Sequence, residues 1–226
     1  KKLFITRKFT SEDPKPEEVH FIQSLPTDNT HNAESYLEEL GRLPEKLRKA
    51  YLEGNWDVFE NAAFSEFDRK VHVVEPMEIP KTWIKFRSCD WGYSTPACVL
   101  WFACDYNGTL WVYRELYTKK VTADKFALLV KNLETEDGHI RYGILDSSTW
   151  ATRGDAGPSI AETMIRTGCS WRPSDRSPRS RINGKLEVHR RLAVDPETNE
   201  PLIKIFSTCR NLIRTLPQLP LDGNNM

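Results

Sequence analysis

From Val71 onward, apolar residues alternate with polar ones or gather in short bursts, in "HVVEP", "WIKFRSCDWG", "ACVLWFACD" and "GTLWVYRELY". Period-two alternation with β-branched and aromatic content predicts strands. The breaks at Tyr93-Ser94-Thr95-Pro96 and Asp105-Tyr106-Asn107-Gly108 are short turns, so the strands they join are antiparallel neighbours. The rhythm then turns helical in "TADKFALLVKNLE", with Thr122 as cap and Phe126, Leu129, Val130 and Leu133 on one face. "IRYGILD" follows as a buried strand. A strand, helix, strand passage of this length is a right-handed crossover, which sets the new strand parallel to one of the first three. Beyond it the pattern predicts a helix from Pro158 to about Thr167, a short strand "CSWRP", a polar loop, a helix "RINGKLEVHRRLAV", a strand "LIKIFSTC" and a short helix "CRNLIRTLPQL". The expected fold is α/β: a mixed sheet of three antiparallel strands followed by parallel ones, flanked by helices.

Ahead of this block the rhythm differs. "KKLFITRKFT" and "EEVHFIQSL" read as two strands without neighbours, joined by the polar, proline-bearing "SEDPKPE". In "AESYLEELGRLPEKLRKAYLEGNW", Tyr36, Leu37, Leu40, Leu43, Leu47 and Tyr51 recur at helical intervals. Asn32 is placed to cap the start, Gly41 and Pro44 divide the run into two short helices, and Gly54 stops the second. This is a strand and helix appendage with too little apolar surface to form a domain alone.

The chain has 226 residues, 39% of them hydrophobic, enough to bury a core without staples. Its 32 basic and 32 acidic residues cancel, so net charge neither favours nor excludes a nucleic acid. Their distribution says more. Between Arg166 and Arg191 there are eight basic residues (Arg166, Arg172, Arg176, Arg179, Arg181, Lys185, Arg190, Arg191) against Asp175 and Glu187. Pro, Ser and Gly in that stretch mark an exposed loop, either an ordinary solvated surface or a polyanion site. The five cysteines form no C-x-x-C and the histidines lack metal-ligand spacing, which points to buried thiols in a reducing compartment. No apolar run is long enough for a membrane span and no signal peptide is present, so a soluble intracellular protein is expected.

Two carboxylates stand out against this background. Asp90 ends the strand "WIKFRSCD" and Asp146 ends "IRYGILD". If the crossover makes those strands parallel neighbours, both side chains emerge at one sheet edge, on strands about 5 Å apart. That edge is where ligands bind in open α/β sheets. Two bare carboxylates so close repel, and a shared proton or a divalent cation relieves them. Oxygen-only ligands with positions left for water and phosphate suit Mg²⁺ or Mn²⁺. The plainer alternative is that each aspartate caps its own turn, Asp90 through Tyr93 and Asp146 through Ser148 or Thr149. Asp68, Asp105 and Asp155 read as solvated loop residues.

"DWGYST" also fits the D-x-G-x-[ST] phosphate loop of the sugar-kinase, actin and Hsp70 ATPases. That reading needs a second glycine-bearing loop, yet the corresponding strand ends in "LDSSTW". Neither a Walker A nor a Rossmann glycine pattern is present, so no nucleotide is expected to bind this chain.

Five passages in order, "YLEGNWDVFENAAFSEFD", "SCDWGYSTPACVLW", "YGILDSS", "RINGKLEVHRRL" and "LIRTLPQLPLDGNN", resemble the large terminase subunit of tailed double-stranded-DNA bacteriophages. Within it they resemble the C-terminal ribonuclease H-like nuclease domain. The resemblance covers nearly the whole chain. It implies a ribonuclease H-like mixed sheet over 66–226 that lacks its C-terminal end, since the family's third acidic ligand follows the "LPQLPLD" passage. Residues 1–65 would be the remnant of a preceding ATPase domain and helical linker, whose Walker motifs would lie before Lys1.

The implied activity is endonuclease cleavage of concatemeric double-stranded DNA with two Mg²⁺ or Mn²⁺ ions, in the host cytoplasm, on a protein absent from the mature virion. Asp90 matches the family's first metal-binding aspartate and Asp146 its second acidic ligand; Asp222 is the nearest carboxylate to the expected third. Portal protein and small terminase subunit are the implied partners of the full-length protein, and the isolated chain is expected to be a monomer. Arg176, Arg179, Arg181, Lys185 and Arg190 are candidates to neutralise duplex phosphates, and Arg153 to steady the scissile one. Trp150 and Trp171 are either groove-lining or core. A resolvase or integrase on the same fold, and a docking module with an incomplete site, stay open beside the terminase reading.

Overall fold

The computed structural model describes residues 62–152 and 157–220, together with 20, 24–29, 31, 34–42, 48 and 52. The chain divides into two compact units, residues 1–60 and 61–226. In the first, α1 (Glu34–Gly41) ends at the glycine that the sequence marks as a break. The predicted strand "KKLFITRKFT", most of "EEVHFIQSL", the cap at Asn32 and most of the second helix lie outside the described residues.

The second unit is built around a seven-stranded mixed sheet. Its strands are β1 (Val73–Val74), β2 (Ile84–Asp90), β3 (Ala97–Cys104), β4 (Leu110–Thr118), β5 (Ile140–Leu145), β6 (Arg172–Pro173) and β7 (Ile203–Phe206), in the spatial order β1-β7-β4-β3-β2-β5-β6. β2, β3 and β4 form the antiparallel meander that their short turns require. β5 pairs with β2 in parallel and β6 follows parallel to β5. On the other side β7 runs parallel to β4, and β1 parallel to β7. "HVVEP" contributes only two residues of strand, because Arg69–His72 winds into a helical turn, α2, whose N-terminus the Asp68 side chain caps by accepting from the Lys70 amide. Asp68 is therefore structural rather than merely solvated.

Burial alternates along β3: Ala97, Val99, Trp101 and Ala103 are buried and the residues between them half-buried. Helix α3 (Ala123–Leu133) brings Phe126, Ala127 and Val130 into the same core, while Leu129 and Leu133 remain 39% and 38% exposed. The contact face thus turns toward Ala127, a small residue that lets the helix approach closely, rather than toward Leu129. Thr122 occupies the cap position of α3 without a capping hydrogen bond; its hydroxyl instead helps hold the Asp124 carboxyl below the usual range. Helix α4 (Ile160–Arg166) opens with a reciprocal box, in which the Glu162 amide donates to Ser159 Oγ and the Ser159 amide to Glu162 Oε2. Helix α5 (Ser180–Leu192) joins β6 to β7, and α6 (Arg210–Thr215) follows, its first amides held by Glu115 of β4.

The core holds one charged knot. Arg87 on β2 is 4% exposed and donates to both Glu134 carboxylate oxygens, at 2.6 and 2.8 Å, and to the Ser170 carbonyl at 2.8 Å. Its guanidinium lies 4.3 Å from the centroid of the Trp171 ring, and Trp101 Nε1 donates to the same Glu134. Trp171 is 6% exposed beneath Arg87, so it belongs to the core and not to a groove. Trp150 is half-buried and packs against the core. Gly143 on β5 makes the stack possible, because a Cβ there would lie 2.7 Å from the Trp171 ring.

Candidate metal centre and nucleic-acid cleft

Asp90 is the last residue of β2, and the chain turns sharply after it. A Cβ at Gly92 would meet Thr95 Oγ1 at 2.6 Å and the Thr95 carbonyl at 2.7 Å, so only glycine lets the turn fold back onto β3. In the parallel ladder Ser88 pairs with Ile144 and Cys89 with Leu145. The Asp146 amide donates to the Cys89 carbonyl at 3.3 Å, which continues the ladder one step further. Asp90 and Asp146 are therefore the next positions in register, on one face and one edge of the sheet, with backbones about 5 Å apart.

Their environments differ. Burial, and then the charge of Asp146, push the Asp90 carboxyl above the usual range. Asp146 is held below it by the hydroxyl and amide of Ser148, with further help from Arg176 and Arg181. The Ser148 amide donates to Asp146 Oδ1 at 2.7 Å, so Asp146 does cap the short 3-10 turn Ser147–Trp150. One oxygen serves that cap, and capping and ion binding are thus compatible at this residue. Cys98, the cross-strand partner of Asp90, keeps its proton: burial, Glu115 and Asp90 push it up to about 11. Among the described residues no three His, Cys, Asp or Glu side chains gather as a metal cluster. Asp222, Arg153 and Asp155 lie outside the described residues.

The basic loop returns to this edge. β6 pairs with β5, and the Ser174 amide donates to the Leu145 carbonyl, so the residues after β6 fold beside Asp146. A cleft of ≈ 940 Å³ results, lined by Asp146, Ser147, Ser174, Arg176, Arg179 and Arg181 among others. Arg176 Nε donates to Ser147 Oγ, and the Ser147 amide to Ser174 Oγ. The two serines fasten the loop to the strand end. Sequence reading missed them, and the available signal was the "DSS" that directly follows the β5 strand.

The other candidates are placed differently. Lys185 lines a separate groove along α5. Arg190 is bound bidentately by Glu187, at 2.8 and 2.7 Å, within its own helix. Asp105, expected to be solvated, organises the β3–β4 turn, accepting from the amides of Asn107 and Thr109 and from Trp111 Nε1. All five cysteines are free thiols.

The sheet order and connections define a ribonuclease H-like mixed sheet of the kind found in nuclease domains of phage large terminases. The nuclease domain of the phage P22 large terminase superposes with a TM-score of 0.54 at 16% identity, over 69% of this chain and 77% of that one. A large terminase from a thermophilic bacteriophage, in complex with ATP-gamma-S, matches 91% of this chain with a TM-score of 0.57 and 20% identity; this chain spans 49% of that protein. The nuclease of the thermophilic phage G20c large terminase, solved with bound cobalt, matches 72% of this chain and 82% of its own with a TM-score of 0.51 and 14% identity. At these identities the likeness is one of fold. No protein-family model matches the sequence, and no curated protein matches it.

Proposed function

We propose that the chain carries the metal-dependent endonuclease of a phage DNA-packaging terminase, cutting concatemeric double-stranded DNA by phosphodiester hydrolysis. The observation that supports this reading is the register of β2 and β5, in which Asp90 and Asp146 are the next positions of neighbouring parallel strands, together with the arginine-lined cleft that Asp146 borders. The donor set fits a hard cation: two carboxylates offer oxygen, and the neighbouring thiol of Cys98 stays protonated. Asp90 and Asp146 would hold Mg²⁺ or Mn²⁺, and the cobalt-bound G20c nuclease supports a divalent ion in this fold. When bound, the ion supplies Lewis acidity toward the phosphate and a more acidic water.

The chain's own residues do the rest. Asp90 and Asp146 fix the position of the scissile phosphate relative to the sheet edge. Arg176, Arg179 and Arg181 bind flanking phosphates without reading bases, since contacts to the backbone carry no sequence information. Ser147 and Ser174 hold Arg176 and its loop in place. The portal protein and small terminase subunit are the partners proposed for the full-length protein.

Nicking of supercoiled plasmid with Mn²⁺ tests the reading. Asp90→Asn and Asp146→Asn are each expected to lower the rate at least about 100-fold while leaving duplex binding within about twofold. Cleavage unaffected by both substitutions would falsify it.

A further inference from the structure

The first two turns of α5 stand clear of the body: Arg181 through Gly184 are exposed, as are Leu186 and Glu187. Ile182 is 52% exposed and Leu186 60%, one helical turn apart, so together they make a single apolar edge. Scattered exposed apolar residues are ordinary, but this pair sits on a protruding, basic element. From Arg176 to Leu186 there are four basic residues and no acidic one. Ile182 also lines two depressions. One is the cleft with Asp146 and Asp175 on one side of its charge balance and Arg176, Arg179 and Arg181 on the other; the second, ≈ 520 Å³, joins Phe64, Leu186 and Leu219 to Arg181 and Lys185. Helix α5 is thus a ridge between two troughs, each with cations on its walls.

We propose that this ridge is a wedge for duplex DNA, with Ile182 and Leu186 entering the minor groove of the duplex whose backbone lies in the Asp146 cleft. Charge complementarity selects the occupant. A protein covering the pair has to bring carboxylates matched to four cations, whereas a duplex presents phosphates on both walls of its groove in any register. Apolar side chains flanked by cations are also how minor-groove proteins unstack a base step and bend the helix. The inference rests on the nuclease reading and adds a bent substrate to it. Arg179 and Arg181 hold one strand's phosphates in the cleft, and Lys185 reaches the other from the second trough.

The test uses the 226-residue chain in EDTA, where cleavage is silent, with a short duplex carrying donor and acceptor dyes at its ends. Energy transfer reads bending, and anisotropy at several salt concentrations reads affinity. The wild type is expected to shorten the end-to-end distance. Ile182→Ser combined with Leu186→Ser is expected to abolish the bend and weaken binding about fivefold to tenfold. Its salt dependence should match the wild type, because no charge is removed, whereas Arg181→Ala should lower the slope by about 1. Both apolar positions are exposed, so the double variant keeps its melting curve. A double variant that bends DNA like the wild type, or a wild type that binds without bending, overturns the wedge, leaves the nuclease reading standing, and leaves a protein as the occupant. A wild type that binds no duplex at low salt overturns both.

Discussion

Asp90 and Asp146 follow Cys89 and Leu145, a Cα pair of the parallel β2–β5 ladder, and their carboxyls are pushed in opposite directions from the ordinary aspartate value. The Asp90 shift comes from burial and then from the Asp146 charge, so an uncompensated anion at position 90 opposes folding. Its folded value is raised; the penalty is therefore absent below the unfolded value, grows as pH rises from there through the folded one, and is full above the folded value. Mn²⁺ is expected to raise the Tm of the wild type at pH 7 and to leave Asp90→Asn and Asp146→Asn unmoved. Without metal, Asp90→Asn should melt no lower than the wild type. Scanning calorimetry with and without Mn²⁺ checks both, and an equal metal shift in all three proteins would place the ion elsewhere.

The Arg87 knot makes a separate prediction about stability. Removing the guanidinium leaves Glu134, whose side chain is 16% exposed, with Trp101 Nε1 as its remaining donor among the contacts described above. Breaking a buried pair from one side costs about 3–5 kcal/mol. Arg87→Met, which retains much of the volume, should therefore lower the urea midpoint sharply. Adding Glu134→Gln should recover part of the loss, a coupling that a double-mutant cycle measures directly. Arg87→Lys should also destabilise, because an ammonium cannot serve Glu134 in a fork while stacking on Trp171.

Gly143 reports on the same stack from the neighbouring strand. Gly143→Ala places a Cβ 2.9 Å from Arg87 Nε as well as against Trp171, and both neighbours are buried. The expected cost is about 1–3 kcal/mol by urea denaturation. Gly41→Ala, where a Cβ meets nothing within 4 Å, is the matched control.

Strand identity was legible because local patterning and short turns dictate the β2–β3–β4 meander, and the crossover rule makes β5 parallel to β2 and β4. Which of the two it joins was not, and the β2–β5 register that sets Asp90 against Asp146 came from the structure. The Arg87–Glu134–Trp171 knot was not legible: an arginine inside "IKFRSCD" announces a charge, but its partners are Glu134, 47 positions away, and Trp171, farther still, which only the packing brings together. The cleft was half legible. The run of arginines was visible, but its return to Asp146 depends on two-residue β6, too short to carry a register signal of its own. At Arg190 composition gave the cation, while the acid one helical turn away that pairs with it came from the structure.

That acid, Glu187, accepts from Arg190 and also from Arg191 Nε at 2.7 Å, and Arg191 is further tied to the Gly108 carbonyl. The hydrogen bond from Arg190, followed by the charges of Arg191 and Arg190, holds the Glu187 carboxyl down to about 2. A lowered acid stabilises the fold above its unfolded value and loses that contribution as pH falls from there through about 2, so the carboxyl carbon shift of Glu187 should titrate near 2 in low salt. The group is exposed, and added salt should bring the midpoint upward. For DNA the consequence runs the other way. Glu187→Gln releases Arg190 while Arg191 keeps its carbonyl partner, so duplex binding should tighten with a salt slope steeper by about 0.9, one additional phosphate contact. In the wild-type background Arg190→Ala should cost less affinity than Arg181→Ala. Equal losses from the two would show that the duplex itself breaks the Glu187 clamp.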